Sequence, residues 1–108
     1  MKISDLLNAQ NIIPSLEAES KDDALRQMVE ALQRSVGFDI SEKAYNAVME
    51  RESIMSTGVG KGLAIPHGRV NGITTNYAAF CCLSKPIDYG SIDGKEVSMI
   101  FMLVGPET

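Results

Sequence analysis

The sequence predicts an α/β fold, a mixed β-sheet flanked by helices, on two patterns. Apolar residues recur with helical spacing at Leu25, Met28, Val29, Leu32 and Val36, and again at Ala44, Tyr45, Val48 and Met49. Three strand-like segments follow, Leu63–Val70, Tyr77–Leu83 and Val97–Val104, separated by the turn dipeptides Asn71-Gly72 and Asp93-Gly94. With 108 residues, this is one domain with room for a core.

The elements follow in chain order. Ile3 to Leu7 forms a short helical turn, and Ile12 to Leu16, which contains Pro14, reads as an edge strand, where a missing N–H is tolerated. Ser20 caps the first long helix, Asp22 and Asp23 occupy the turn favoured by the helix dipole, and Gly37 stops it. Ser41 caps the second long helix, which runs to about Ser53. Gly58, Gly60 and Gly62 then alternate through a loop. The last segment, Val97 to Val104, is apolar on both faces, as in a central strand covered on each side. The two helices can cover one face. The other implies C-terminal helices beyond Thr108, or a second chain, such as the other half of a homodimer.

Composition excludes several classes. Apolar residues make up 44% and charged residues 22%, ordinary for a soluble globular protein. A net charge of −4, with no basic stripe, argues against nucleic-acid binding. No stretch approaches the ~20 apolar residues of a membrane span, and the start of the chain lacks a signal peptide's apolar centre, so a cytoplasmic location is expected. Cys81 and Cys82 are adjacent, which strains a disulfide and leaves too few spaced ligands for zinc; both are expected to be reduced. No cofactor or metal is implied.

His67 is the chain's single histidine. Imidazole is both nucleophilic and partly neutral near physiological pH. Pro66 holds the preceding residue extended and Gly68 leaves the next position bare, so the run Leu63 to Ile65 delivers the ring to an open edge. Gly58-Val59-Gly60-Lys61-Gly62 fails the P-loop pattern, because no Ser or Thr follows Lys61 and a strand follows the glycines. The Rossmann fingerprint fails for the same topological reason. The loop's backbone N–H groups, from Thr57, Gly58, Gly60, Gly62 and Gly68, are instead candidates to hold an oxyanion beside His67. A Ser56–His67–Asp88 triad is a rival, without a nucleophile elbow to support it. Arg51, in the last turn of the second long helix, can offset the helix dipole or grip a phosphoryl group with its planar fork of donors.

Arg51-Glu52, Ser56-Thr57-Gly58 and Gly62-Leu63-Ala64-Ile65-Pro66-His67-Gly68-Arg69, with Asp88-Tyr89-Gly90, Asp93-Gly94-Lys95 and the strand ending Gly105-Pro106-Glu107, resemble the type-2 EIIA domain of the bacterial phosphoenolpyruvate-dependent phosphotransferase system. This fructose–mannitol class includes free-standing nitrogen-regulatory proteins. The resemblance spans essentially all of residues 1–108 as a single domain. It implies that His67 accepts a phosphoryl group from the phosphocarrier HPr, with Arg51 beside the phosphohistidine, and passes it to an EIIB partner in sugar uptake. The alternative it implies is a regulator whose phosphorylation switches protein contacts. The family's second active-site histidine and its closing helices fall after the strand matching Val97–Val104, so the domain is expected to be incomplete at its C-terminus. Met55, Val59 and Leu63 are candidates for an apolar rim that slows hydrolysis.

Overall fold

The computed structural model describes residues 3–107. A short helix α1 (Ile3–Leu6) and strand β1 (Ile12–Leu16) precede two long helices, α2 (Lys21–Gln33) and α3 (Ser41–Ile54). Five strands follow: β2 (Gly58–Gly60), β3 (Leu63–Ala64), β4 (His67–Val70), β5 (Tyr77–Ile87) and β6 (Val97–Pro106). Together with β1 they form one six-stranded sheet in the order β1-β5-β6-β3-β2, with β4 also on β6. The sheet is mixed, as expected: β6 runs antiparallel to β5 and parallel to β3 and β4. Strand β1, with Pro14, lies at an edge.

Helix α2 begins as its sequence requires, with the Ser20 side chain accepting from the Asp23 N–H. It ends at Gln33 rather than at Gly37, because the N–H groups of Arg34, Ser35 and Val36 turn back to carbonyls three residues earlier. Ser41 does not cap α3. The cap position falls to Ile40, and Asp39 Oδ1 instead accepts from the Ser41 N–H and hydroxyl, at 3.0 and 2.7 Å.

The core lies between the two long helices and one face of the sheet. Leu25, Met28, Val29 and Leu32 of α2 and Ala44 and Val48 of α3 meet Ala79, Cys81 and Leu83 of β5 and Ile100, Met102 and Val104 of β6. Alternation along the strands sends Phe80, Cys82, Met99, Phe101 and Leu103 to the opposite face, where they stay half-buried or exposed. Phe80 pairs with Phe101 there, and Cys82 with Met99. The two cysteines therefore part company: Cys81 is buried, its thiol pushed up to about 11 mainly by desolvation, while Cys82 is exposed.

Two further details correct the sequence reading. The segment Leu63–Val70 follows one edge of β6 but is two strands, broken where Ile65 turns its N–H to the Thr57 carbonyl and Pro66 has none to offer. The glycine segment is not an open loop: Gly58–Gly60 is a strand, hairpinned onto β3 through Lys61 and Gly62, both with positive φ.

Candidate functional site

His67 opens β4, and its side chain is exposed at the break after β3. Its Nδ1 lies 3.0 Å from the Ile65 carbonyl oxygen. A carbonyl oxygen only accepts, so Nδ1 carries the proton, and in the neutral ring the lone pair is on Nε2. Ring orientation and tautomer are thus set by the two-residue step across Pro66.

Arg51 stands in the last turn of α3, and its Nη1 donates to the Met55 carbonyl at 2.7 Å. One arm of the guanidinium therefore closes the helix end, the structural role open to a C-terminal cation. Among the described residues Arg51 has no carboxylate partner. The rest of its fork is available to the cleft of about 330 Å³ that it lines with Met55, Ser56, Thr57, Val59, Ile65, His67 and Ile92.

The rim of this cleft is apolar. Met55, Val59 and Ile92 line it and are exposed by 62%, 49% and 69%, while Ile54, exposed by 78%, lies in the adjoining cleft that Arg51 and His67 also line. These are four of the six large hydrophobics exposed among the described residues, gathered at the two clefts that share Arg51 and His67. Leu63, the third rim candidate, does not line the cleft and pairs with Met99 in the sheet.

Two of the five backbone donors expected to hold an oxyanion, those of Thr57 and Gly58, are already bonded. The Thr57 N–H is bonded to the Glu52 carboxylate, the Gly58 N–H to Ser56 Oγ, and the Lys61 N–H to Asp93 Oδ2. These donors brace the hairpin and are not free for an oxyanion. Gly60 and Gly62 supply the positive φ of its turn. At Gly68, a Cβ would stand 2.9 Å from Ala47 Cβ and 3.0 Å from the Val48 nitrogen. Gly68 is therefore where α3, which carries Arg51, presses on β4, which carries His67. Gly68→Ala is expected to cost about 1–3 kcal/mol, read as a lower urea midpoint.

No Ser–His–Asp triad is assembled. A triad carboxylate must hold the Nδ1–H, whereas Nδ1 is taken by Ile65; Asp88 accepts from the Gly90 N–H in its own turn. Among the described residues no three His, Cys, Asp or Glu side chains converge as a metal site requires.

Beneath the cleft lies a group that sequence reasoning left without a role. Glu52 is buried, and its carboxylate is held by Lys21 at 2.8 Å, by the Tyr89 hydroxyl at 3.0 Å, by the Thr57 N–H at 3.2 Å and by the Thr57 hydroxyl. Its signal was visible, since Ala44, Val48 and Glu52 fall four apart on one helix stripe, which places a carboxylate among core residues. Burial pushes this carboxyl up, but the bonds from Lys21, Thr57 and Tyr89 outweigh it and hold it below the ordinary glutamate value. A depressed carboxyl stabilises the fold fully above the unfolded value near about 4.3 and loses that contribution as pH falls below it. Between pH 7 and pH 3, wild type should therefore lose more of its urea midpoint than Glu52→Gln does.

With this geometry in place, comparison with known proteins is decisive. Residues 5–108 match the model of the phosphoenolpyruvate-dependent sugar phosphotransferase system EIIA 2 family. The chain belongs to that family. This EIIA domain is 34% identical over 107 residues to a nitrogen regulatory protein of Bradyrhizobium diazoefficiens, spanning 99% of the chain and 69% of the relative. It is 32% identical to the fructose-specific EIIABC component of Bacillus subtilis, spanning 99% of the chain and 17% of that larger protein. Its fold superposes on the crystal structure of the nitrogen regulatory protein IIA-Ntr of Neisseria meningitidis with a TM-score of 0.91 and 33% identity, over 98% of this chain and 72% of that one. The mixed open sheet with its two long helices is thus an EIIA fold. No helix among the described residues is long and apolar enough to cross a membrane.

Proposed function

We propose that this EIIA domain is a phosphocarrier in which His67 Nε2 accepts a phosphoryl group from an HPr-like donor and passes it to an EIIB partner in sugar uptake. The observation that carries this reading is the bond from Nδ1 to the Ile65 carbonyl, which assigns the lone pair of the neutral ring to Nε2, with His67 lining the cleft that Arg51 shares. In the step, the donor's N–P bond breaks and its imidazole recovers the electron pair, while the Nε2 lone pair forms the new P–N bond. Positive charge grows on the His67 ring, and the Ile65 carbonyl opposite Nδ1–H stabilises it. The transition state is loose, so catalysis consists of positioning and charge stabilisation; Arg51 meets the phosphoryl oxygens. Met55, Val59, Ile54 and Ile92 form the surface on which the partner docks, and docking excludes water from the N–P bond.

Incubation with phosphoenolpyruvate, enzyme I and HPr should add one acid-labile phosphoryl group, read by intact-protein mass. No gain would refute the phosphocarrier reading.

A second reading is favoured by the relatives named nitrogen regulatory proteins. In it, phosphorylation switches protein contacts by placing about 1.5–2 negative charges inside the apolar rim. Affinity capture with phosphorylated and unphosphorylated protein separates the two readings: partner sets that differ with phosphorylation support a regulator, and identical sets count against it.

A further inference from the structure

The buried carboxylate of Glu52 is joined to the imidazole by an unbroken series of hydrogen bonds. Its two oxygens each lie 3.2 Å from the Thr57 N–H. The Thr57 carbonyl accepts from the Ile65 N–H at 2.9 Å, and the Ile65 carbonyl accepts from His67 Nδ1 at 3.0 Å. The anchoring end draws on two further segments. Lys21 comes from the first turn of α2 and also stands 4.4 Å above the Tyr89 ring; Tyr89 lies beyond β5, and its hydroxyl is 3.0 Å from both Glu52 Oε1 and Thr57 Oγ1.

We propose that Glu52 is a positioning residue for phosphoryl transfer: by anchoring Thr57 it holds Ile65 in place, and through Ile65 it fixes the orientation and tautomer of His67. The inference rests on the reading of His67 as phosphoryl acceptor. The effect is mechanical and not a relay of charge, because successive bonds use different peptide groups. Its force comes from over-determination. The Ser56–Thr57 step follows directly on the C-terminus of α3, so the carboxylate ties that helix end, and Arg51 with it, to the segment carrying His67. Among the described residues the Ile65 N–H bonds to the Thr57 carbonyl alone, in the gap between β3 and β4; the other tie across that gap is the Leu103 N–H of β6 to the Pro66 carbonyl at 3.0 Å, which does not touch Ile65 itself. A buried ion pair serving stability alone would not need to reach that gap.

The alternative is that Glu52, Lys21, Thr57 and Tyr89 form a stabilising cluster with no bearing on the ring. The two are separated by reading the His67 imidazole nitrogens by ¹⁵N NMR in the unphosphorylated protein, beside the phosphorylation rate with HPr. Wild type should show Nδ1–H as the dominant neutral tautomer. Glu52→Gln, still folded, should shift population toward Nε2–H and slow phosphorylation about tenfold to a hundredfold, the scale on which an ångström of misplacement acts. A folded Glu52→Gln with wild-type tautomer and rate overturns the proposal. If Glu52→Gln does not fold, Tyr89→Phe carries the test, since it removes one donor from the carboxylate and keeps the ring: a smaller shift in the same direction is expected, and an unchanged tautomer overturns the proposal. The tautomer readout needs no phosphoryl donor. If wild type accepts no phosphoryl group, it is the phosphocarrier reading that has failed, and the NMR arm still decides the role of Glu52.

Discussion

Replacing His67 by glutamine is expected to abolish phosphoryl acceptance outright while leaving the fold as stable as wild type. The ring is exposed at the first residue of β4, and its one resolved bond is to a local carbonyl two residues away. A surface substitution of that kind falls within about 0.5 kcal/mol. The chemical loss is absolute because a glutamine amide nitrogen has its lone pair delocalised into the carbonyl and cannot attack phosphorus, whereas imidazole Nε2 holds its pair in the ring plane. Mass analysis after incubation with phosphoenolpyruvate, enzyme I and HPr should show the variant unmodified, with an unchanged thermal transition. A variant that still gains an acid-labile phosphoryl group would place the acceptor elsewhere.

The second large effect is expected at Arg51. Removing a preorganised donor aimed at developing transition-state charge typically costs 10²–10³ in rate, about 3–4 kcal/mol, and Arg51→Ala should slow phosphoryl acceptance by that order. The same change deletes the bond to the Met55 carbonyl, worth about 0.5–1.5 kcal/mol of stability. The two contributions are separable. A modest fall in urea midpoint cannot account for a rate loss of two or more orders while the protein stays folded. Arg51→Lys keeps the charge but not the planar fork, so it should fall between wild type and alanine in rate. Rates that track only the folded fraction would reduce Arg51 to a helix cap.

Much of the fold was legible because its signals are local. Ser20 with Asp22 and Asp23 announces α2, Asn71-Gly72 and Asp93-Gly94 announce turns, and the apolar run at Val97 announces the central strand. What stayed hidden depends on contacts distant in sequence. Nothing in Gly58-Val59-Gly60 says that Asp93, some thirty residues on, will turn a loop into a braced hairpin, whereas the Asp39 that takes the Ser41 N–H is only two residues away and is a local signal. Gly68 looked like a bare position beside an active imidazole; only the arrival of Ala47 and Val48 shows it to be a packing contact. The candidate site followed the same division. His67 and Arg51 stood out by residue type and motif, and the structure brings them to one cleft. Glu52 was visible within that motif, but the significance of a carboxylate on the Ala44–Val48 stripe emerges only when Lys21, Thr57 and Tyr89 converge on it.

The central claim is that Nε2 of His67 is the phosphoryl acceptor, and the most direct test is to locate the phosphoryl group after transfer from HPr by NMR of the ¹⁵N-labelled imidazole. The predicted result is a single phosphohistidine at His67, bonded through Nε2 with the proton retained on Nδ1. Phosphorylation through Nδ1, or an acid-stable phosphate on Ser56 or another hydroxyl, would contradict it.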